Sequence, residues 1–296
     1  MTIKSIQVLF ITFILLSVLV NYSCQDDNVS MASEIPLSFS VDTLRFDTVF
    51  TQAGSATRSF KIYNELDDPV LLNSVRLANA SSSFFRINVD GFAQNEVEDV
   101  RIEAGDSIYV FAEVTIDPDN PLSISPFFIE EALLIQANNS SYSVQLEAWG
   151  QNANYIPDRE SQGRVSYFSC DLGQWVWDDP RPYVLYGVLV IDSCELVLPP
   201  GTEVYVHGGV AINELGVFND GLLAILGNGN IRAEGTLEDP VLFKTDRLEE
   251  EFDELQGQWS GILLSRNSRG NTITHTSIEN AIVGLSVDSS ASVCIK

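Results

Sequence analysis

The chain has 296 residues, enough for two domains, and its 45% apolar and 10% aromatic content excludes an intrinsically disordered polymer. Its 41 acidic and 16 basic side chains give a formal net charge of −25, which excludes nucleic acid and anionic lipid headgroups as electrostatic partners and leaves neutral molecules and cations. The cysteines are Cys24, Cys170, Cys194 and Cys294, and none forms the C-x-x-C pair of a zinc or dithiol site.

Lys4 is the only charged side chain before Cys24, and Ile6 to Val20 is apolar except for Gln7, Thr12 and Ser17. A positive start, a short apolar run and then small polar residues predict a signal peptide over residues 1–23. The run is shorter than the ~20 apolar residues of a spanning helix, so an uncleaved anchor is the lesser alternative. Asn21-Tyr-Ser-Cys24 resembles a bacterial lipobox, with small Ser23 before the cysteine and Asn21 in place of the usual aliphatic residue. The resemblance implies cleavage before Cys24, a diacylglycerol on its thiol, and a mature protein held to a lipid membrane by acyl chains. The Gln25-Asp-Asp27 that follows resembles the surface-export signal of Bacteroidetes lipoproteins. That implies an outer-membrane lipoprotein on the periplasmic or the cell-surface face; a solvated linker is the plain alternative.

Residues 24–35 are polar and aperiodic, and predict a tether. Strand patterns then follow at short intervals over residues 36–150. Leu37-Ser-Phe-Ser-Val, Arg58-Ser-Phe-Lys-Ile-Tyr and Val70-Leu-Leu-Asn-Ser-Val come first. Phe84-Phe-Arg-Ile-Asn-Val, Ser107 to Val114, Ala132 to Ala137 and Tyr142 to Trp149 complete the set. Ile108, Val110, Ala112 and Val114 fall on one side of a period-two strand. About seven such strands, with turns at Asn64 to Pro69 and Ala104-Gly-Asp106, predict an antiparallel β-sandwich of the Ig-like kind. Phe60-Lys-Ile-Tyr-Asn, Ile102-Glu-Ala-Gly-Asp-Ser, Val114-Thr-Ile-Asp-Pro and the closing Val144-Gln-Leu-Glu-Ala-Trp-Gly150 resemble bacterial Ig-like modules related to the abnormal-spindle and hydin repeats. The resemblance implies a spacer or contact module. The region contains neither His nor Cys, so it offers no catalytic set.

Residues 151–168 are rich in polar turn formers and predict a hinge. From 169 to 296 the pattern changes to short apolar strands with almost no helix signal between them. Gly187-Val-Leu-Val-Ile, Gly221-Leu-Leu-Ala-Ile-Leu and Gly261-Ile-Leu-Leu-Ser are the marks of a coil, spaced 34 (221−187) and 40 (261−221) residues apart. Glu195 to Leu198, Glu203 to His207, Asn230 to Glu234 and Pro240 to Thr245 read as its other faces, with Val204, Val206, Val241 and Phe243 inward. The expected fold is a right-handed parallel β-helix, with its surplus length in the loops Asn213 to Asp220 and Arg247 to Gln258. Arg181 to Val190, Leu198-Pro-Pro-Gly-Thr-Glu-Val-Tyr, Ala233-Glu-Gly-Thr with Asp239-Pro-Val, and Gly257-Gln-Trp-Ser-Gly-Ile resemble Bacteroidetes lipoproteins with right-handed β-helix repeats. More remotely the coil resembles pectate lyase-like enzymes. The closing Ser292-Val-Cys-Ile-Lys296 reads as a new strand without a polar cap, the expected mark of a fragment or of a partner-covered end, and leaves the pairing of Cys294 open.

Cys170 and Cys194 bracket Trp175 and Trp177. A bridge there would steady the start of the coil, with buried free thiols as the alternative. The two tryptophans are expected to plug the coil's open end, or else to stack on a sugar ring. The densest charge cluster is Asp246, Arg247, Glu249, Glu250, Glu251, Asp253 and Glu254. Its carboxylates could hold Ca²⁺ or line a glycan groove, but the order of a calcium loop is missing, and a solvated loop is the plainer reading. His207 and His275 are the only imidazoles, and neither has a Cys, Asp or second His at metal-ligand spacing. No cofactor is called for. The function expected is an anchored structural or display protein of the cell envelope, contacting an envelope protein or glycan and performing no catalysis. The alternative is a glycan-binding or polysaccharide-degrading surface protein.

Overall fold

The computed structural model describes residues 29–51, 54–116, 127–158, 164–171, 173–213 and 216–296. The segment expected as a signal peptide, residues 1–23, and Cys24 lie outside the described residues. Those described build an all-β molecule: an Ig-like antiparallel sandwich followed by a parallel β-helix.

The sandwich contains β1 (Ser38–Phe39), β2 (Thr43–Phe50), β3 (Arg58–Tyr63), β4 (Val70–Leu77), β5 (Phe85–Val89), β6 (Glu96–Ile102), β7 (Ser107–Val114), β8 (Phe127–Ala137) and β9 (Ser140–Gln151). One sheet runs β1-β3-β7-β5 and the other β2-β9-β8-β4-β6. Period-two alternation sets the core: Phe60 and Ile62 of β3 and Ile108, Val110, Ala112 and Val114 of β7 all point inward and are buried. β2 and β6 are additions to the strands expected. The alternation of Leu44 and Phe46 carries β2, but a bulge between Arg45 and Thr48 breaks the pattern before Val49 and Phe50. Charged residues at Glu96, Glu98, Asp99 and Arg101 hide β6 from a hydrophobicity count. The tether is also shorter than expected. Ile35 is buried in the core, its amide bonds to Ser140 Oγ at 3.0 Å, and the Ser30 amide bonds to the Pro69 carbonyl at 2.8 Å.

The coil has three parallel sheets of five strands each. Its first rung is β10 (Asn154–Ile156), β11 (Val165–Phe168) and β12 (Gln174–Val176), and its second is β13 (Tyr183–Leu185), β14 (Val188–Asp192) and β15 (Glu195–Leu198). The third begins with β16 (Glu203–Val206) and is interrupted by an antiparallel hairpin, β17 (Gly209–Asn213) and β18 (Gly216–Asp220). It resumes with β19 (Leu222–Leu226) and β20 (Asn230–Glu234). The fourth has β21 (Val241–Thr245), a helical turn α1 (Glu250–Asp253), β22 (Trp259–Leu264) and β23 (Asn271–Thr274). The fifth has β24 (Thr276–Ile278), β25 (Ala281–Val287) and β26 (Val293–Ile295). Residues 151–168, expected as a hinge, thus supply two strands of the first rung. Their strands are only three and four residues long, too short to show a period, and pair with apolar neighbours one rung on, which is why they carry no signal of their own.

The Gly-led strands do stack in one sheet, Val188 against Leu222 against Gly261. Gly261 sits opposite Leu222 rather than Gly221, so the two long rungs measure 34 (222−188) and 39 (261−222) residues. The rungs before and after are lean, at 23 (188−165) and 22 (283−261) residues. Val204, Val206, Val241 and Phe243 face the core as expected. The coil's start is filled by Trp177, which is buried and stacks on Tyr183 at 4.5 Å, and by Trp175, which lies on Phe168 at 3.8 Å. Cys170 and Cys194 are bonded beside them, while Cys294 is a free, exposed thiol.

Candidate interdomain site

Parallel, in-register stacking places residues of equal rung position side by side, about 4.8 Å apart. Leu185 pairs with Val206, and Val206 with Thr245. The residues that follow, Tyr186, His207 and Asp246, are therefore brought into one column at the end of a sheet. The His207 ring stacks on Tyr186 at 4.6 Å, and its Nδ1 meets Asp246 Oδ2 at 2.5 Å. Asp246 is thus the partner that His207 was expected to lack. The two lie 39 residues apart in sequence and one rung apart in space.

Burial works against a charged His207. The hydrogen bond to Asp246 and the negative fields of Asp246 and Asp220 outweigh it, so the imidazole titrates above its ordinary range. Asp220, buried at the base of the hairpin, supplies part of that field. Asp246 Oδ1 is buried and meets no donor among the described residues.

The sandwich closes over this column. Phe50 packs with Val184 and Tyr186 and meets the Tyr205 ring at 4.9 Å. The Tyr155 hydroxyl donates to the Thr51 carbonyl, and the Thr51 amide donates to the Gln151 carbonyl at 2.9 Å. Between the modules remains a cavity of about 360 Å³, lined by Asp47, Arg58, Tyr186, His207, Asp246 and Arg247 among others. A wider hollow of about 760 Å³ shares Ala56, Arg58, Arg247 and Glu249 with it and is lined also by Phe252. The β2 bulge lies beside Asp47, whose carboxylate receives Arg58 Nη2 at 2.6 Å.

The acidic loop does not converge on a centre. Asp246 is bound to His207. Arg247 donates from Nε to Glu249 Oε2 at 3.1 Å, and its guanidinium lies 3.8 Å over the Phe252 ring. Lys244 donates to Asp253, while Glu250 and Glu254 are exposed. The loop is pinned from below. Asn280 Nδ2 bonds the Asp253 carbonyl at 2.8 Å and the Leu255 carbonyl at 2.9 Å, and Gln258 Nε2 bonds the Phe252 carbonyl at 2.7 Å. Among the described residues no group of three or more His, Cys, Asp or Glu side chains could hold a metal ion. The Glu251 side chain is not described. His275 sits at an exposed turn with φ 39°, away from this site. Trp177 has no exposed face for a sugar, and Trp175 is half-buried. Sequence reasoning missed Asp47, Arg58 and Tyr186. Only the rung intervals 186 to 207 to 246 carried a signal, and it concerned the column alone.

No family model and no curated protein matches the chain. Among solved structures it is similar to a protein of unknown function from Porphyromonas gingivalis W83, at 15% identity over 47% of this chain and 59% of that one, with a TM-score of 0.30. It is also similar to the ASH/PapD-like domain 7 of human CEP192, at 9% identity over 45% of this chain and 95% of that one, TM-score 0.28. A further likeness is to the E. coli chaperone DraB, at 13% identity over 40% and 55% of the respective chains, TM-score 0.26. These likenesses are faint and carry nothing about function.

Proposed function

We propose that this chain is an exported lipoprotein of the Bacteroidetes type. On this reading acylated Cys24 holds it to the outer membrane, the sandwich serves as a spacer, and the coil is a surface displayed to an envelope partner. One observation carries the display reading: the junction is locked. Phe50 inserts between Tyr205, Val184 and Tyr186, and Tyr155 ties the coil to Thr51, so the sandwich holds the coil at a fixed angle instead of trailing it. A freely jointed pair of modules would need no such contact. The docking of Ile35 onto the sandwich points the same way, because it shortens the slack between anchor and body. The acidic loop is tied up in internal bonds, which favours a structural role for it over a catalytic one.

The test is a Cys24→Ala variant expressed from its own signal. The native chain should partition with membranes and carry the mass of a diacylglycerol; the variant should be released. Release of both, or membrane retention of the variant, overturns the anchor. A screen of neutral and acidic polysaccharides for new reducing ends or unsaturated product should give no turnover. Reproducible product would replace display by catalysis.

A further inference from the structure

Display alone does not require the hollow between the modules. Its walls carry three ion pairs: Asp47 with Arg58 at 2.6 Å, His207 with Asp246 at 2.5 Å, and Arg247 with Glu249 at 3.1 Å. The first comes from the sandwich and the others from the coil, so neither module makes the site alone. We propose that this hollow binds the end of an uncharged oligosaccharide, gripped between the two modules.

The choice of ligand follows from how the walls are charged. Each cation already faces a carboxylate, so donors and acceptors alternate with little net charge. An anion would have to displace those carboxylates, against a chain of formal charge −25. A cation would have to displace Arg58 and Arg247. An apolar ligand would strip water from three ion pairs and return nothing to them. A sugar hydroxyl both donates and accepts, so vicinal hydroxyls match a carboxylate oxygen beside a guanidinium N–H. Phe50, Leu248 and Phe252 offer apolar surface for the carbon face of the ring. Asp246 Oδ1 meets no donor among the described residues, and a hydroxyl supplies one once the carboxylate turns toward the hollow. The dimensions agree. The cavity of about 360 Å³ lies at the lower end of ligand pockets, roughly 300–1,000 Å³, and shares Arg58, Arg247 and Glu249 with the wider one of about 760 Å³. A terminal sugar unit fits the first, and the rest of a short chain leaves through the second.

The experiment is titration calorimetry on the full chain with neutral disaccharides built on glucose, galactose, mannose and N-acetylglucosamine. Digalacturonate and inorganic phosphate are the charged arms, and the His207 ring resonances are followed in parallel. The expected result is saturable binding of at least one neutral sugar with a shift of the His207 signals, and weaker or absent binding of both anions. Arg58→Ala and Arg247→Ala, one on each module, should each weaken binding tenfold or more, the loss of one charge-assisted hydrogen bond. Arg58→Lys should fall between Arg58→Ala and the native chain. Arg101→Ala, on the outer sandwich surface beside Glu103, should leave affinity unchanged. Circular dichroism of each variant separates lost binding from lost folding. No saturable binding of any neutral sugar, tighter binding of an anion, or equal losses in Arg101→Ala and Arg58→Ala would overturn the site. None of these outcomes touches the lipid anchor or the display reading.

Discussion

Replacing Cys170 and Cys194 together by alanine tests how the coil is held at its start. The bridge closes a loop with a sequence separation of 24, and the loop contains Trp175 and Trp177. In the chain-entropy treatment such a crosslink removes about 12 cal/mol/K from the unfolded chain, which is about 3.4 kcal/mol at 25 °C. Cys194 is buried, so the alanine pair also loses packing, and reduction of the native chain is the cleaner comparison because it leaves the sulfur atoms in place. The assay is urea unfolding at 25 °C followed by tryptophan fluorescence, with and without reductant. For a slope of about 3 kcal/mol/M, the midpoint should fall by about 1 M on reduction. It should fall slightly further in the double variant, where reductant should have no effect. A fall of less than about 0.3 M would refute the reasoning, since the open end would then be held by the aromatic plug of Trp177, Trp175 and Phe168 alone.

Four other perturbations have definite outcomes. His207 titrates above its ordinary value, so its contribution to stability is fully present below the unfolded-state value of about 6.5 and is lost as pH rises through the folded value. Unfolding midpoints from pH 5 to 9 should show this alkaline loss in the native chain and not in His207→Asn. Asp179 is held well below the usual carboxylate range, first by its hydrogen bond from Arg181, so its contribution is present above the unfolded value of about 3.9 and is lost as pH falls below it, and Asp179→Asn should flatten the acid limb of a second series carried from about pH 5 down to about pH 2. Trp259 is fully buried and donates from Nε1 to the Glu279 carbonyl at 2.8 Å. Trp259→Ala should therefore cost about 3–5 kcal/mol by chemical denaturation, and Trp259→Phe visibly less. At Gly208 an added Cβ would lie 1.6 Å from the Gln258 carbonyl oxygen, so Gly208→Ala must push two rungs apart at the site. A loss of about 3 kcal/mol is expected, and a midpoint within error of native would show that the strands part freely there.

The fold was legible where burial is one- or two-sided and regular. β14, β19 and β22 read as unbroken apolar runs because their outer faces are also covered: Val188, Val190 and Ala224 are buried outside the core. β7 read clearly because its alternation is strict. β10 and β11 did not, since strands of three and four residues are too short to show a period and borrow their order from a neighbour that sequence pattern does not place beside them. The hairpin β17–β18 was hidden for a related reason. Val210, Ile212 and Val217 are exposed, and an exposed two-stranded arm leaves no burial pattern to read. Of the site, Asp246, Arg247 and Glu249 were noticed for their charge and His207 for its rarity. Their pairings were not visible, because they depend on rung register, and register became countable only once both long connections had been placed.

Those connections also show how the site came to lie where it does. Every turn of the coil passes three corners, and only one of them ever grows beyond six residues. From the β10–β13–β16–β21–β24 sheet to the next, the linking segments hold 8 (156 to 165), 2 (185 to 188), 15 (206 to 222), 13 (245 to 259) and 2 (278 to 281) residues. The two longest leave the coil directly after β16 and β21 and begin with His207 and Asp246, so the hairpin and the acidic loop rise side by side from the same corner. A stacked coil tolerates insertion at any corner, because loop closure costs little extra per residue. Growth confined to one corner, and to the corner against which the sandwich rests, places the additions where they can meet a second module. The column of Tyr186, His207 and Asp246 is thus a by-product of strict rung register, while the walls around it come from the acidic loop on one side and from β2 and β3 of the sandwich on the other.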